Sequence, residues 1–204
     1  MPERTNQNLA RGAATREHLI EVGTTLFAER GYEDTSIETV LQVASVSRGS
    51  LYHHFKNKEA LFEAVLEAIE NDTGLRVVEA AAGATDPKEI LRLGALAWVQ
   101  LAGDPVVQRV LLIDAPAVLG WERWRALEER HALGLIKGVL AAIAEQGELE
   151  PGLVDVFSHV ILAAINEIAL LIARSDQPDR ERQLGADAID EVLSRLLGAS
   201  GASP

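Results

Sequence analysis

The sequence predicts an all-α protein of about nine helices, and three observations lead to this prediction. Apolar residues recur at helical spacing along most of the 204-residue chain. No alternating β-branched run bounded by hairpin turns is present, so no strand is predicted. The chain is 48% apolar, which is enough for a sizeable core. We therefore expect one large helical domain, or two smaller ones that share a core.

Three helices are predicted in the first 58 residues. The first begins near Thr15 and ends before Gly31, a residue that commonly stops a helix. Asp34, Thr35 and Ser36 supply caps for the second helix, and Ser47 caps the third. The predicted helices cover roughly residues 15–30, 37–43 and 48–54.

Six further helices are predicted in the rest of the chain. A long helix begins at Glu59, and Asp104-Pro105 opens a short one. Residues 114–120 form an apolar loop, which is expected to lie against the body of the protein. Gly198 begins a frayed tail that extends to Gly201. The four remaining helices cover roughly residues 87–102, 121–146, 151–175 and 178–197.

Charge is distributed unevenly along the chain. The net charge is −12 at pH 7, yet residues 1–58 carry seven basic and seven acidic side chains. The whole excess of acid therefore follows residue 58. An acidic surface repels DNA, so any DNA contact is expected from the neutral N-terminal part. Such asymmetry suggests two tasks in one chain.

Three absences bear on chemistry and location. The chain has no cysteine, which excludes disulfides, thiol nucleophiles and cysteine-ligated metal sites. Its N-terminal residues lack the apolar core of a signal peptide. The longest apolar stretch, Val160 to Ala173, contains Asn166 and Glu167 and is shorter than the ~18 residues of a membrane span. We expect a cytoplasmic protein with no cofactor, no metal and no membrane contact.

The second and third predicted helices are short and are joined by Ala44-Ser45-Val46. This is helix-turn-helix spacing. The third helix carries Arg48, and arginine reads guanine edges in the major groove. Serine, tyrosine and lysine side chains suit phosphate oxygens. An ordinary short surface helix would show the same spacing, so spacing alone leaves both interpretations open.

A longer motif surrounds these two helices. It reads F-A-x-x-G-Y from Phe27, T-S-I from Thr35 and S-x-G-x-L-Y-H-H-F-x-N-K-x-x-L from Ser47. Over about residues 14–66 this order resembles the DNA-binding region of the tetracycline-repressor (TetR) family. The resemblance implies a homodimeric, all-helical regulator that binds a palindromic operator on double-stranded DNA.

The resemblance also implies individual DNA contacts. Base contacts fall on the first residues of the recognition helix and on one histidine: Arg48, Gly49, Ser50 and His53. Phosphate contacts fall on Thr35 or Ser36, Ser47, Tyr52, His54 and Lys58. Leu51 and Phe55 are assigned to the core.

The motif departs from the family pattern at two positions. Ser45 occupies the turn position where the family usually has glycine, and Leu41 stands where it usually has a small alanine. We expect Ser45 to adopt a left-handed backbone conformation, which costs about 1–3 kcal/mol outside glycine. Leu41 must fit where the second and third helices cross. Neither departure removes a DNA contact.

The chain is divided at residue 58. Residues 1–58 are predicted to form a helix-turn-helix DNA-binding domain, and residues 59–204 a ligand-binding and dimerisation domain. Residues 1–13 are expected to be a flexible arm. Arg4 and Arg11 either enter the minor groove, as basic arms do, or belong to an unstructured tail.

The predicted helix at residues 151–175 is apolar on nearly every side. Such a helix is buried on every side, either between its own domain and a second copy of the chain or entirely within a monomer. With the stripe on the helix at residues 178–197 it is expected to build a four-helix dimer interface. The interface residues are predicted to be Ile161, Ile165, Ile168, Gly185, Ala188, Ile189, Val192 and Leu196.

Small and apolar residues in the body, such as Gly94 and Gly134, suit a cavity between helices. The expected ligand is a mainly apolar small molecule with one polar or ionisable group. Glu167 is expected to face this cavity or to form a structural ion pair, because a buried, unpaired carboxylate is costly. The candidate ligand-binding residues are Trp98, Asp114, Trp121, Trp124, Arg125, His131, Asn166 and Glu167.

Together these observations predict a ligand-responsive transcriptional regulator, a repressor that leaves its operator when an effector binds. One alternative is a DNA-binding regulator controlled by a protein partner or without a ligand. Another is an enzyme that uses acid–base groups such as Asp114, His131, His159 and Glu167. No metal-ligand or nucleophile motif is present to support the enzyme.

Overall fold

A computed structural model describes the backbone of residues 2–198 and the side chains of residues 10–198. Over this range the chain is helical and has no strand, as the sequence predicts. The α-helices are α1 Pro2–Arg30, α2 Ile37–Ala44, α3 Arg48–His54, α4 Lys58–Ala80, α5 Pro87–Leu101, α6 Ala115–Leu119, α7 Trp121–Glu128, α8 Gly134–Glu145, α9 Val154–Ala173 and α10 Pro178–Leu197.

Two π-helical segments and one 3₁₀ turn extend these α-helices. A π-helix at Val107–Asp114 leads into α6, a π-helix at Glu129–Leu133 joins α7 to α8, and a 3₁₀ turn at Pro151–Leu153 leads into α9. With each such segment joined to its neighbours, residues 2–198 hold nine helical stretches. The predicted all-α class with about nine helices is confirmed.

Helix α1 is longer than the sequence analysis predicts. It begins at Pro2 rather than near Thr15, so the backbone of residues 2–13, predicted to be a flexible arm, is helical. Gly12 lies beside the recognition helix, and a Cβ atom there would come within 3.9 Å of His54 Cε1. Arg11 is exposed, while Met1 and the side chain of Arg4 lie outside the described residues.

A continuous apolar core joins the N-terminal helices to α4. Leu19 and Phe27 of α1, Leu51 of α3 and Phe62 of α4 are completely buried. The ring of Phe27 meets that of Phe62 edge to face, with 5.1 Å between centroids. Helix α4 therefore contributes both to this core and, farther along its length, to the body of the protein.

The predicted loop at residues 114–120 is mostly helical. The π-helix Val107–Asp114 passes directly into α6, where Pro116 lies in the first turn. Proline is tolerated there because the first backbone N–H groups of a helix have no intrahelical acceptor. Gly120, with φ of 76°, ends α6 and begins α7. The segment packs against the body as expected, but as helix.

Helices α5, α8, α9 and α10 form the remaining layer of the body. Gly185 of α10 is in close contact with α9, since a Cβ atom there would lie only 2.6 Å from Ile168 Cγ2. Helix α10 ends at Gly198, which has φ of 74°. The rest of the predicted frayed tail, residues 199–201, lies outside the described residues.

By length and composition alone, Pro151–Ala173 could span a membrane, with a mean hydropathy of 2.0. This apolar segment is longer than the stretch from Val160 that the sequence analysis considered. Its side chains Ile161, Leu162 and Ile172 are buried against the body, as in the core helix of a folded domain.

Candidate nucleic-acid interface and ligand cavity

The turn between α2 and α3 contains Ser45, whose backbone is left-handed, with φ of 54° and ψ of 37°. It is the one residue other than glycine with positive φ among the described residues. The predicted backbone conformation is confirmed. After it, the N–H of Val46 donates to the carbonyl of Leu41 at 3.3 Å and completes the tight connection. Leu41 is half-buried against the core, so the larger residue fits between the helices.

Serine side chains cap both helices of the motif. Ser36 Oγ accepts the N–H of Thr39 at 3.0 Å, and Ser47 Oγ accepts the N–H of Ser50 at 3.2 Å. These caps fix where α2 and α3 begin. Both serines remain exposed, and a hydroxyl that accepts a backbone hydrogen bond can still donate its own hydrogen. The predicted phosphate contacts of Ser36 and Ser47 are compatible with their capping role.

One face of α3 is exposed and the other is buried. Arg48, Gly49, Tyr52 and His53 are exposed and Ser50 is half-buried, whereas Leu51 is completely buried. Arg48 Nη2 donates to Glu38 Oε1 of α2 at 2.5 Å. Arg48 therefore lies at the surface but is held by an acid that DNA would have to displace.

Two predicted phosphate contacts are engaged elsewhere. Thr35 is completely buried, and its Oγ1 donates to the carbonyl of Gly31 at 2.7 Å, because this threonine closes the turn after α1. Lys58 is half-buried; its Nζ donates to the carbonyl of Tyr32 at 2.8 Å and lies 4.0 Å from that ring's centroid. Lys58 thus folds back onto the protein rather than outward from the α4 N-terminus.

His54 lies partly under the exposed face. Its ring centroid is 5.0 Å from that of His53. Burial lowers the pKa of His54, and the positive charges of His53 and Arg16 lower it further. A neutral His54 can offer a phosphate a hydrogen bond but no positive charge.

A cavity of about 830 Å³ lies between α4, α5, the segment Glu129–Leu133, α8 and α9. Its walls are mainly apolar. The predicted ligand residues Trp98, His131 and Asn166 line it. The indole N–H of Trp98 is buried and has no acceptor among the described residues. A cavity of this size with mainly apolar walls has room for a small organic molecule.

The sequence analysis missed Glu70, an acidic residue that lines this cavity from α4. The residue is only 6% exposed. Burial raises its pKa to about 8, and the nearby charge of Glu128 adds to the shift. The sequence could have predicted this burial, because Glu70 follows the apolar Leu66 by four residues and so lies on the inward side of a long helix.

Glu128 is a second buried acid that was missed. Asn166 donates a short hydrogen bond to its Oε1, and Arg125 Nη1 lies 3.7 Å from Oε2. Burial raises the pKa of Glu128 to about 7 against the opposing effects of Arg125 and Asn166. Two buried acids on separate helices, α4 and α7, are therefore close enough for the charge of Glu128 to raise the pKa of Glu70.

Five predicted ligand residues do not line the cavity. Asp114 accepts the N–H of Tyr32, and Arg125 pairs with Glu128, so both serve contacts within the protein. Trp124 is buried beside Trp121, which is 66% exposed at the surface. Glu167 is exposed on the outer side of α9, because the turn of the helix directs Asn166 inward instead.

Half of the predicted dimer residues face inward. Ile161 and Ile165 line the cavity, and Gly185 and Ile189 are buried against the chain's own helices. Ile168 is half-buried against Gly185. Of the other three, Ala188 is exposed, and Val192 and Leu196 are half-buried. The apolar pattern alone could not tell which side of α9 turns toward the body.

Another set of side chains forms an outer stripe on α9 and α10. The exposed members on α9 are spaced three or four residues apart and lie on one face of the helix. The outer stripe consists of Val156, Val160, Ala163, Glu167 and Leu171 of α9 with Leu184 and Ala188 of α10.

No cluster of three potential metal ligands occurs among the described side chains. The functional geometry is instead a capped helix-turn-helix with an exposed recognition face, placed on a helical body that contains a cavity. These features define the class as helix-turn-helix, DNA-binding regulatory proteins.

Comparison with known proteins identifies the family within this class. Residues 19–65 match the family described as "Bacterial regulatory proteins, tetR family". Residues 88–196 match "Tetracyclin repressor-like, C-terminal domain". The second match alone covers more than half of the chain, so the protein belongs to the TetR family of transcriptional regulators. Members of this family and the relatives of this chain are regulators rather than enzymes.

Individual relatives agree with this assignment. A TetR-family regulator from Pectobacterium atrosepticum is 30% identical, with a TM-score of 0.80 over 93% of this chain and 97% of that one. FadR from Bacillus subtilis, solved with stearoyl-CoA, has the same fold, with 23% identity and a TM-score of 0.72 over 90% of this chain and 98% of that one.

The match to one curated relative covers a smaller region. The transcriptional regulator AcrR from Shigella flexneri is 37% identical over 79 residues. This match covers 38% of this chain and 37% of AcrR. The chain therefore spans little more than a third of that relative's length.

Proposed function

We propose that this protein is a ligand-responsive repressor that binds a palindromic operator as a homodimer and releases it when a mainly apolar small molecule enters the cavity. The observation that carries the proposal is the position of α4. This helix begins at Lys58, directly after the recognition helix, and farther along it supplies Glu70 and Thr73 to the cavity. One rigid element therefore links the two sites.

On the DNA side, the proposal rests on the exposed face of α3. Arg48, Gly49 and His53 are the residues for base contacts, and the half-buried Ser50 accompanies them at the start of the helix. Ser36, Ser47 and Tyr52 are the phosphate contacts, with His54 contributing as a neutral group. Thr35 is not part of this interface because it is buried. Lys58 joins the interface only after leaving the carbonyl of Tyr32.

The homodimer is proposed to form through the outer stripe of α9 and α10. Val160 is 46% exposed, Leu171 is 56% exposed and Leu184 is 50% exposed, so each leaves apolar surface in water. A second copy related by a two-fold axis would cover the same patch on each chain. Two recognition helices on one face of DNA read half-sites about 34–36 Å apart, which is one helical turn.

Ligand binding is proposed to reach the DNA-binding helices by two connections. Arg123 of α7 bridges to Glu59 and Glu63 in the first turns of α4. Asp114, at the end of the Val107–Asp114 segment, binds the backbone of Tyr32. A ligand that moves α4 relative to α7 would strain the Arg123 bridges directly. It would affect the Asp114 contact through Lys58 of α4, which donates to the carbonyl of Tyr32. It controls DNA affinity only to the extent that it binds the two arrangements differently.

The test has two stages and uses the full-length protein. Selection from a random double-stranded DNA library should give a palindromic site, and fluorescence anisotropy should give the affinity and its salt dependence. A small-molecule library is then screened for release. A non-palindromic site would contradict the dimeric arrangement. Release by cell proteins alone, with no small molecule active, would favour control by a protein partner.

The proposed location is the cytoplasm, where a transcriptional regulator meets its operator. The supporting observation is the assignment to a family of DNA-binding regulators. Fractionation of cells that express the protein at its natural level tests this: recovery in the membrane fraction would contradict it.

A further inference from the structure

Two buried carboxyl groups lie in or next to the wall of the cavity. Glu70 lines the cavity from α4, and Glu128 lies close enough to affect its ionisation. Asn166 connects the cavity wall to Glu128 Oε1, while Glu128 Oε2 has no hydrogen-bond partner among the described residues. Arg125 lies 3.7 Å from Oε2 and pairs with Glu128.

The other elements around the cavity add little positive charge near these two groups. Helices α5, α8 and α9 contribute no charged side chain to the described lining. The segment Glu129–Leu133 contributes His131 and Arg130. Arg130 is exposed and also borders a smaller recess lined by Glu63 and Glu67. Water and these two acids therefore screen its positive charge.

We propose that the effector is an amphiphilic organic cation, with its apolar body between α5, α8 and α9 and its ammonium or similar group against Glu70. The two buried carboxyl groups have little positive charge near them, and a cationic ligand would supply it. A carboxylate ligand would instead add a third acid to a poorly hydrated site. The inference rests on the proposed role of the cavity as the effector site and adds the chemical class of the effector.

Three probes with the same apolar chain separate the possible ligand classes: decyltrimethylammonium, decanol and decanoate. Calorimetric titration into the full-length protein at neutral pH, below micelle-forming concentrations, measures each affinity. The cation should bind about tenfold more tightly than decanol, and decanoate should bind more weakly than both. Glu70→Gln should reduce the preference for the cation to near unity and leave decanol unchanged.

The matched control is Glu79→Gln. Glu79 lies on the same helix but is exposed and does not line the cavity, so this variant loses the same charge elsewhere. It should keep the full preference for the cation. Circular dichroism of both variants confirms that the helices are intact.

The pH dependence gives a second signature. Because burial raises the pKa of Glu70 to about 8, a bound cation displaces a proton from this carboxyl group near neutrality. Affinity for decyltrimethylammonium, whose charge does not change with pH, should therefore rise from about pH 6.5 to about pH 8.5. Affinity for decanol should not. Glu70→Gln should remove the rise, and His131→Gln controls for the histidine in the cavity.

Failure of this inference is distinguishable from failure of the cavity role. Gly94→Phe fills the cavity from α5, where an added Cβ already meets Val77 at 3.4 Å. If all three probes bind equally and Gly94→Phe abolishes binding, the cavity role stands and the cation is wrong. If Glu70→Gln keeps the cation preference, the inference is also overturned. If no probe binds, or Gly94→Phe changes nothing, the cavity role itself fails.

Discussion

The backbone N–H of Tyr32 donates a 2.8 Å hydrogen bond to Oδ2 of Asp114, a residue 82 positions later in the chain. The same carboxylate oxygen lies 3.3 Å from Nε of Arg109. On its other side, Tyr32 receives the hydrogen bond from Lys58 through its carbonyl. This corner thus ties the turn after α1 to the body and to the first residue of α4.

Asp114→Ala tests this corner. The substitution leaves the Tyr32 N–H and the Arg109 guanidinium without their acceptor, so unfolding free energy should fall by about 1–3 kcal/mol. Ligand-induced release should weaken, because the substitution removes one of the contacts that couple the cavity to the DNA-binding helices. The coupling free energy between two such sites is typically about 1–3 kcal/mol. Thermal denaturation and operator binding with and without the releasing ligand measure both effects. Asp187→Ala, on the exposed side of α10, is the control; a variant with unchanged stability and release would show that the corner transmits nothing.

Arg48→Ala should weaken specific operator binding by about 1–3 kcal/mol and relax the preference at one base pair in each half-site. The reason is that arginine makes a two-pronged contact to a base edge once it leaves Glu38. Anisotropy titrations against the operator and its single-base variants measure the effect. Arg76→Ala removes a half-exposed arginine from α4 within the body and serves as the control. If Arg48→Ala binds the operator and each single-base variant with the affinities of the parent protein, the bases are read by other residues.

Ser45→Gly should stabilise the protein by about 0.5–1 kcal/mol. Glycine removes the steric conflict of a left-handed serine, which outweighs the greater backbone entropy that it loses on folding. Ser194→Gly is a matched control in the interior of α10, where glycine should destabilise by about 0.5–1 kcal/mol. Chemical denaturation gives both values. A loss of stability in Ser45→Gly would mean that contacts of the serine hydroxyl compensate for the strain.

Leu171→Glu should dissociate the proposed dimer, since it replaces an exposed apolar side chain of the outer stripe with a second acid, one helical turn after Glu167. Analytical ultracentrifugation should show a monomer that has lost most of its operator affinity and keeps weak, salt-sensitive DNA binding. Val43→Glu, at another exposed apolar position on α2, should sediment as the parent does. A dimer that survives Leu171→Glu would place the interface on a different face.

The buried acids make stability depend on pH. Burial raises the folded-state pKa of Glu70 to about 8 and that of Glu128 to about 7, both above the ordinary carboxyl value of 4.5. Between about pH 4.5 and pH 8 the folded protein binds more protons at these two groups than the unfolded chain does. Their contribution to stability is therefore greatest below about pH 4.5 and declines as the pH rises toward 8. Each group contributes a slope of at most about 1.4 kcal/mol per pH unit.

Glu70→Gln should therefore gain stability relative to the parent protein as pH rises from about 5 to about 8. Denaturant titrations at several pH values measure the difference, with Glu79→Gln as the control for simple charge loss. Parallel pH profiles for the parent and Glu70→Gln would show that Glu70 is not buried in solution.

The local features of this protein were determined by its sequence. Caps at Ser36 and Ser47, the spacing of Leu51 and Phe55 and the glycine-like turn at Ser45 depend on residues within a few positions of one another. These predicted the helix-turn-helix and, through the motif, the family. Helix formation and capping depend on neighbouring side chains and backbone groups, so the local sequence is sufficient to predict them.

Only the tertiary structure decided which faces meet. Helix α9 is apolar on nearly every side, so its sequence allowed Ile161 and Ile165 to face either a partner or the body, and the fold turns them toward the cavity. Likewise it directs Glu70 inward, leaves Glu167 outside and brings Asp114 to Tyr32. These outcomes depend on contacts between residues far apart in the chain, where the relative rotation and position of whole helices are set by packing rather than by any local pattern.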